Sequence, residues 1–210
     1  MTAGQDLFNA AIAEAYERYM VPVFFEAYAE DLARRIAALQ PHRVLEIAAG
    51  TGALTRALAT RLGPDAHIIA TDLSPAMLER ARTDVRLAND GRMTWRLADA
   101  LSLPFGDAAF DVVACQFGVM FFPDKVRGYR EVHRVLKPGG AFVFNVWDDI
   151  ADNDLPRAIE DAIAPLFDGK APDFMTRIPH GYHDTAPCRG DLPGYAPAPR
   201  NRSSHDPVCG

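Results

Sequence analysis

The residues with the clearest chemical meaning lie in the stretch 44–55, which reads Val-Leu-Glu-Ile-Ala-Ala-Gly-Thr-Gly-Ala-Leu-Thr. A short apolar run carries Glu46, and Gly50 and Gly52 then interrupt it before a helical pattern begins. Because glycine has no Cβ, a ligand can lie against bare backbone N–H groups at the start of the following helix. The stretch therefore predicts a strand, a turn and a helix that present amides and one carboxylate to a small ligand. An ordinary tight turn between a strand and a helix would show the same glycines.

Asp72 is the second acidic residue of this pattern and ends the apolar run 67–72. A carboxylate at the end of a second strand, about twenty residues after such a turn, commonly accepts hydrogen bonds from both hydroxyls of a ribose. Ser74 and Pro75 follow as a helix cap and first helical residue, so a loop aspartate beside a helix start is the alternative. A nicotinamide-binding fold would prefer a third glycine where this sequence has Thr55, which disfavours that class.

The elements that must position these residues alternate between strands and helices. Besides the runs that carry Glu46 and Asp72, strands are predicted at 93–97, 110–117 and 141–147. Asp124 is predicted to cap a helix that stops at the turn Lys137-Pro138-Gly139-Gly140. Five strands that alternate with helices predict an α/β fold with a mainly parallel sheet, and the ligand should lie at the carboxyl ends of the strands.

In these residues the sequence resembles the class I S-adenosylmethionine-dependent methyltransferases, in particular the small-molecule branch that includes the ubiquinone-biosynthesis methyltransferases. The resemblance covers roughly residues 12–185. It is carried by Glu46-x-Ala48-x-Gly50-x-Gly52, which is similar to the family's first motif with Ala48 in place of its commonest first glycine, by Asp99-Ala100, and by the turn Leu136-Lys137-Pro138-Gly139-Gly140. It implies a Rossmann-like sheet of seven strands that ends in an antiparallel hairpin.

The resemblance also implies S-adenosyl-L-methionine as the cofactor and methyl transfer to a small-molecule acceptor by in-line displacement at the sulfonium methyl group. The implied cofactor-binding residues are Glu46, Ala48, Gly50 and Gly52 in the first motif, Asp72 at the ribose, Leu73 and Met77 near the adenine, Asp99 and Ala100 at the adenine amino edge, Gln116 and Phe117 near the methionine portion, and Tyr16 and Tyr19 near the cofactor carboxylate. Two alternatives remain: an incomplete or degenerate member that only binds the cofactor or is inactive, and a nicotinamide-dependent oxidoreductase.

The sequence assigns no general base. His180 and His183 lie in a turn-rich segment after the fifth strand, where members of this family often have a substrate lid. The ordinary pKa of histidine suits acid–base chemistry, so these two residues are the candidate catalytic residues. A histidine in a loop is more often solvated or hydrogen bonded, and this is the alternative to a catalytic role.

The composition fits a globular protein, because 49% of the 210 residues are hydrophobic. A net charge of −6 and the lack of a basic stripe argue against a nucleic-acid substrate, and no apolar run is long enough for a membrane span. The three cysteines fit neither a disulfide framework nor a metal site, and the N-terminal residues lack the pattern of a signal peptide. We therefore expect a cytoplasmic protein that acts on a small molecule, and the sequence does not indicate its oligomeric state.

The predicted organisation is a methyltransferase domain followed by a tail. The domain spans 1–185, with two amphipathic cap helices in 1–40, the cofactor-binding core in 41–150 and a partial lid in 151–185; the tail spans 186–210. The tail holds five of the sixteen prolines and is predicted to be disordered. No strand pattern follows the fifth strand, so the final hairpin is expected to be missing. The change of composition near Thr185 indicates a shifted reading frame or a truncation, with a genuine lineage-specific tail as the alternative.

Overall fold

A sheet of five parallel strands forms the centre of the protein, in a computed structural model that describes residues 9–167 and 174–182. The strands are β1 (Arg43–Glu46), β2 (His67–Asp72), β3 (Met93–Leu97), β4 (Phe110–Gln116) and β5 (Leu136–Asn145). Their order in the sheet is β3-β2-β1-β4-β5, and every neighbouring pair is parallel. The predicted α/β fold with a parallel sheet is confirmed.

Helices connect the strands and cover the sheet. They are α1 (Ala10–Ala15), a π-helix (Tyr16–Phe25), α2 (Glu26–Ala38), α3 (Ala53–Arg61), α4 (Pro75–Arg82), α5 (Lys125–Val135), α6 (Asp154–Ile163) and α7 (Phe174–Arg177), with short 3-10 turns at Val119–Phe121, Ile150–Asp152 and Ala164–Phe167. In the described ranges no helix is both long and apolar enough to cross a membrane. After β5, the described residues up to 182 contain no further strand. The predicted tail, 186–210, lies outside the described residues.

Alternate residues of the central strands face opposite sides of the sheet, as the period of two in a strand requires. Val44 and Val112 pack with the buried residues of α2 and α3. Leu45 and Val113 face the other side, where Val132 of α5 belongs to the same buried cluster. Burial on both faces explains why these strands read as continuous apolar runs in the sequence.

The strand order creates a crevice beside β1. Leu45 is paired with Ile69 of β2 on one side and with Val113 of β4 on the other. The connections that leave β1 and β4 therefore diverge at this point, and a parallel sheet binds its ligand in the crevice outside the carboxyl ends of such strands. The glycine turn after Glu46 lies at this crevice.

The N-terminal helices differ from the prediction of two separate amphipathic helices. The structure has one helical run in which α1 passes into the π-helix and then into α2. Pro22 lies inside the π-helix, where the N–H of Glu26 donates to the carbonyl of Val21, five residues earlier. Proline lacks an N–H and cannot fit a regular α-helical turn, so the wider turns keep the helix continuous around it.

Strand β5 begins earlier than the predicted start at residue 141. Leu136 pairs with Phe110, and the next pair joins Ala141 to Val112, so the residues between them form a bulge in β5. Gly139 has φ +79° within this bulge, a conformation that glycine adopts without strain. The Lys137–Gly140 turn follows the end of α5 as predicted, but it is built into the strand instead of preceding it.

Candidate functional site

The turn that follows β1 brings backbone N–H groups to the crevice. Ala48, Gly50 and Gly52 have φ values of +54°, +57° and +87°, so the chain reverses sharply before α3 begins at Ala53. A Cβ built on Gly50 would meet no atom within 4 Å. The backbone of Gly50 therefore borders open space, as the glycine pattern predicts.

Asp72 joins this glycine loop to the end of β2. Its Oδ2 accepts a hydrogen bond from the Gly50 N–H at 2.8 Å, and its Oδ1 accepts one from the Ser74 N–H at 2.7 Å. Burial raises the pKa of the Asp72 carboxyl above its ordinary value, and the backbone N–H donors of Ser74 and Gly50 oppose that rise. Both oxygens of this carboxylate are thus held in place beside the crevice.

Glu46 lies deeper than Asp72 and is almost completely buried. Thr55 Oγ1 donates a hydrogen bond to Glu46 Oε2 at 2.7 Å. Burial raises the pKa of Glu46 to about 8, although the Thr55 hydroxyl and the charge of Arg56 act in the opposite direction. Glu46 therefore joins the end of β1 to the first turn of α3.

The crevice forms a small cleft between the glycine loop and the π-helix. Its lining residues are Tyr16, Phe25, Ala48, Ala49, Gly50, Thr51, Ala53 and Gln116. Thr51 Oγ1 is buried at the cleft and has no hydrogen-bond partner among the described residues. A buried hydroxyl without a partner is costly, so this atom is suited to a polar group of a ligand.

The π-helix forms the cover of the cleft. Tyr16 stacks on Phe25 with 5.1 Å between the ring centres. Burial raises the pKa of the Tyr16 hydroxyl, and the nearby carboxylates of Asp72 and Glu17 raise it further. At the other end of the π-helix, Gln116 Nε2 donates a hydrogen bond to the Phe25 carbonyl at 2.8 Å.

Comparisons with known proteins agree with this geometry. Residues 44–140 match the model of the family described as a methyltransferase domain. Demethylmenaquinone methyltransferase of Clavibacter sepedonicus is 44% identical over 110 residues, which are 52% of this chain and 43% of that protein. The ubiquinone/menaquinone biosynthesis C-methyltransferase UbiE of Geobacter sp. strain M21 is 36% identical over 102 residues, or 48% of this chain and 43% of that protein.

A solved structure matches over a larger share. The protein of Methanococcus maripaludis described as a candidate S-adenosyl-L-methionine-dependent methyltransferase has a TM-score of 0.59 and 25% identity, and the match covers 79% of this chain and 75% of that one. Residues 44–140 of this chain are therefore similar to a methyltransferase domain. The matched part is similar to the menaquinone- and ubiquinone-biosynthesis methyltransferases named above. It spans less than half the length of the curated relatives named above.

Four aromatic residues form a wall beside the cleft. Phe117, which has φ +50°, stacks on Trp147 with 4.0 Å between the ring centres and 10° between the planes. Phe25 and Tyr28 meet both of these rings edge-on. Because Phe25 also lines the cleft, these four residues, called the aromatic wall below, extend the site beyond the glycine loop.

Other predicted cofactor residues lie at the ends of β2 and β3 without lining the cleft. The Ala98 N–H donates to the Asp72 carbonyl, which brings the two strand ends together. Met77 is buried in α4, whereas Leu73 is about half exposed. Asp99 is exposed and accepts a hydrogen bond from the Leu101 N–H, and Ala100 is partly buried beside it. These assignments remain predictions.

Tyr19 and the two histidines lie away from the cleft or outside the described residues. The Tyr19 side chain is 62% exposed, and the Arg18 guanidinium lies over its ring. His180 is buried, with Nδ1 at 2.7 Å from the Asp148 carbonyl oxygen, and its ring centre is 6.0 Å from that of Trp147. His183 lies outside the described residues. In the described ranges no group of three or more histidine, cysteine or acidic side chains could hold a metal ion.

The sequence did not reveal the roles of four residues near the cleft: Thr55, Arg56, Glu17 and Trp147. Thr55 stands where a dinucleotide fold has glycine, and its hydroxyl binds Glu46. Arg56 lies in a run of α3 that is buried at every position from Leu54 to Leu58, so helical periodicity could not mark it. The sequence signal that could have identified Arg56 was its charge within this run.

Proposed function

We propose that this chain binds S-adenosyl-L-methionine in the cleft and transfers its methyl group to a small-molecule acceptor. The observation that carries the proposal is the arrangement at the carboxyl ends of β1 and β2, where Asp72 accepts hydrogen bonds from the N–H groups of Gly50 and Ser74. When bound, the cofactor supplies a sulfonium methyl group that is already activated for displacement. The methyltransferase-domain match over residues 44–140 supports the same proposal.

Three features of the cleft fit such a cofactor. The open space beside Gly50 allows a ligand to approach the backbone closely. The buried Thr51 hydroxyl offers a hydrogen bond that no described residue uses. The fixed oxygens of Asp72 retain acceptor capacity for hydroxyl groups, because each ionised carboxylate oxygen can accept more than one hydrogen bond.

The work left to the protein is to orient two molecules and to exclude water. A correctly placed pair of reactants needs no further activation when the leaving group is already good. Tyr16 and Phe25 cover the cleft from the π-helix side, and Gln116 holds that cover through the Phe25 carbonyl. These residues separate the cleft from bulk solvent, which limits hydrolysis of a reactive donor.

We propose an aromatic acceptor, because the aromatic wall adjoins the cleft. Flat aromatic molecules prefer stacked or edge-on contacts with such side chains. The name of the Clavibacter relative includes demethylmenaquinone, a quinone, which supports the same acceptor class. Transfer of labelled methyl groups to a hydroxylated naphthalene but not to an aliphatic amine would support this part of the proposal, and the opposite preference would contradict it.

His180 is the described candidate for the proton acceptor of the reaction. A carbonyl oxygen can only accept a hydrogen bond, so contact with Asp148 places the hydrogen of the neutral ring on Nδ1. The His180 ring centre lies 6.0 Å from that of Trp147, beside the aromatic wall.

Isothermal titration with S-adenosylhomocysteine tests the cofactor site. We expect saturable binding that Asp72→Asn weakens about tenfold to a hundredfold, since hydrogen bonds to a charged group contribute about 1.5–3 kcal/mol. Asp111→Asn is the matched control. Asp111 Oδ2 also accepts two backbone N–H bonds, from His42 and Arg43, but Asp111 lies at the opposite ends of the strands.

The outcomes of this titration separate the alternatives. Equal weakening in both variants would contradict the ribose-binding role of Asp72. Binding of a nicotinamide dinucleotide by a folded sample that ignores S-adenosylhomocysteine would favour an oxidoreductase. Tight binding without methyl transfer to any acceptor would favour an incomplete member that only binds the cofactor.

A further inference from the structure

Arg56 is a deeply buried cation near the cleft that the proposed reaction does not use. Its side chain is 8% exposed, and a buried guanidinium is tolerated only where other groups satisfy its donors. Nη1 donates to the Thr51 carbonyl at 2.9 Å, and Nη2 lies 3.0 Å from Glu17 Oε1. Nη1 also lies 3.6 Å from Asp84 Oδ2.

These contacts connect the floor of the cleft to its cover. Thr51 follows Gly50 in the glycine loop and lines the cleft. Glu17 belongs to the π-helix and follows Tyr16, which lines the cleft from above. Tyr16 and Phe25, which line the cleft, come from the π-helix, whereas the other lining residues come from the glycine loop, the start of α3 and β4. The π-helix is therefore the wall that could move without disturbing the sheet.

The pair that Glu17 forms with Arg56 is incompletely satisfied. Glu17 is 12% exposed, and its Oε2 is a buried oxygen without a hydrogen-bond partner among the described residues. A buried acceptor in this state costs free energy, which offsets part of the attraction between the two charges. Such an ion pair can hold the π-helix over the cleft, and breaking it costs only a modest free energy.

We propose that Glu17 and Arg56 are positioning residues that latch the π-helix over the cleft, so that the cofactor binds and leaves only while this ion pair is open. The inference rests on the proposed cofactor site. The far end of the π-helix continues into α2 and is fixed by the hydrogen bond between Gln116 and the Phe25 carbonyl. Opening therefore moves the end that carries Tyr16 and Glu17.

Rapid-mixing kinetics with S-adenosylhomocysteine test the latch in the full chain with the variant Glu17→Gln. This change keeps the size of the side chain but removes its charge. A latch limits both directions of binding, so we expect the association and dissociation rate constants to rise together, by about tenfold for a change of about 1.4 kcal/mol in the closing equilibrium. A residue that only stabilises the bound ligand would change the dissociation rate constant alone.

The matched control is Glu14→Gln. Glu14 lies in α1 and pairs with Arg80 of α4 at 2.7 Å, but its side chain is 62% exposed. An exposed pair contributes little, so we expect both rate constants to stay within twofold of the parent. If Glu17→Gln is poorly folded, Glu17→Asp keeps the charge on a shorter side chain and should raise both rate constants by a smaller factor.

Hydrogen–deuterium exchange of the free protein gives a second readout that needs no cofactor. We expect faster exchange of residues 16–25 in Glu17→Gln and unchanged exchange in Glu14→Gln. Unchanged exchange and unchanged rate constants in Glu17→Gln would overturn the latch while leaving the cofactor site intact. A parent protein that exchanges as expected but binds no S-adenosylhomocysteine would overturn the proposed function instead.

Discussion

The carboxyl group of Glu46 shows how one buried side chain links chemistry to stability. It has almost no access to solvent, and the Thr55 hydroxyl donates a hydrogen bond to it. Burial favours the protonated form, so the folded protein binds a proton here at pH values at which the unfolded chain has lost it. The protonated form of Glu46 is therefore the form that the fold favours.

This residue predicts how stability depends on pH. The pKa of Glu46 rises from 4.5 to about 8 on folding, so its contribution to the free energy of unfolding is complete below pH 4.5 and is lost as the pH rises to about 8. Between these two pH values, the free energy of unfolding falls by about 1.4 kcal/mol per pH unit because of this group. In urea titrations from pH 5 to pH 9, we expect Glu46→Gln to lack this component of the slope.

A control of opposite sign is available in Glu131→Gln. The Arg134 guanidinium lowers the pKa of the Glu131 carboxyl, so this group stabilises the fold above its ordinary pKa and loses that effect as the pH falls. Its replacement should leave the slope between pH 5 and pH 8 unchanged. A Glu46→Gln protein with the same slope as the parent would show that Glu46 is ionised in the folded state.

At the scale of elements, the turns after β1 and β4 are packed against each other. Ala48 has φ +54°, which costs an alanine about 1–2 kcal/mol relative to ordinary backbone. A Cβ built on Gly118, just after β4, would lie 2.6 Å from Ala48 Cβ and 2.6 Å from Cys115 Sγ. Gly118 is thus the residue that makes room for Ala48 at a position where the family commonly has glycine.

The close packing of Ala48 and Gly118 predicts that substitutions at these two positions have coupled effects on stability. Gly118→Ala should destabilise the protein by about 1–3 kcal/mol, because overpacking forces neighbouring atoms apart. Adding Ala48→Gly should recover part of that loss, since it removes one of the two clashes and the left-handed alanine. Denaturant unfolding of both single variants and the double variant measures the coupling. Gly91→Ala is the control, because a Cβ there meets nothing within 4 Å. Additive effects of Gly118→Ala and Ala48→Gly on the free energy of unfolding would contradict the contact between these two positions.

The glycine loop and the position of Asp72 beside it could be predicted from the sequence because residue type alone restricts them. Only glycine adopts φ values such as that of Gly52 without strain, and an acid at a strand end next to such a loop has few structural uses. The ion pair between Glu17 and Arg56 could not be predicted in this way. It depends on how the π-helix lies against α3, and no local spacing encodes the angle between two elements.

At the scale of the whole molecule, the segment 174–182 packs against the rest of the domain at the end of β5. The Tyr182 and Tyr129 hydroxyls lie 2.7 Å apart, and Lys125 Nζ lies 4.9 Å from the centre of the Tyr182 ring. His180 approaches the Asp148 carbonyl on the other side of the same segment. The sequence predicted a lid here, but its contacts with α5 required the three-dimensional structure.

Tyr182→Phe tests how firmly this segment is held. We expect a loss of about 0.5–1.5 kcal/mol in the free energy of unfolding, the usual contribution of a hydrogen bond, together with faster proteolysis after Arg177. Tyr19→Phe is the control, because the Tyr19 side chain is largely exposed. Equal stability and equal proteolysis in the two variants would show that the contact with Tyr129 does not hold the segment.

The position of β1 in the sheet also sets the order in which the site can form as the chain leaves the ribosome. Glu46, the glycine loop and Asp72 emerge early, and β1 can pair with β2 as soon as both are outside. The other side of β1 pairs with β4, whose Val112 is distant in sequence from its partner Val44. Until β4 emerges, the nascent chain exposes an unpaired strand edge beside a half-formed cleft, and it is during this interval that chaperones would be expected to bind it.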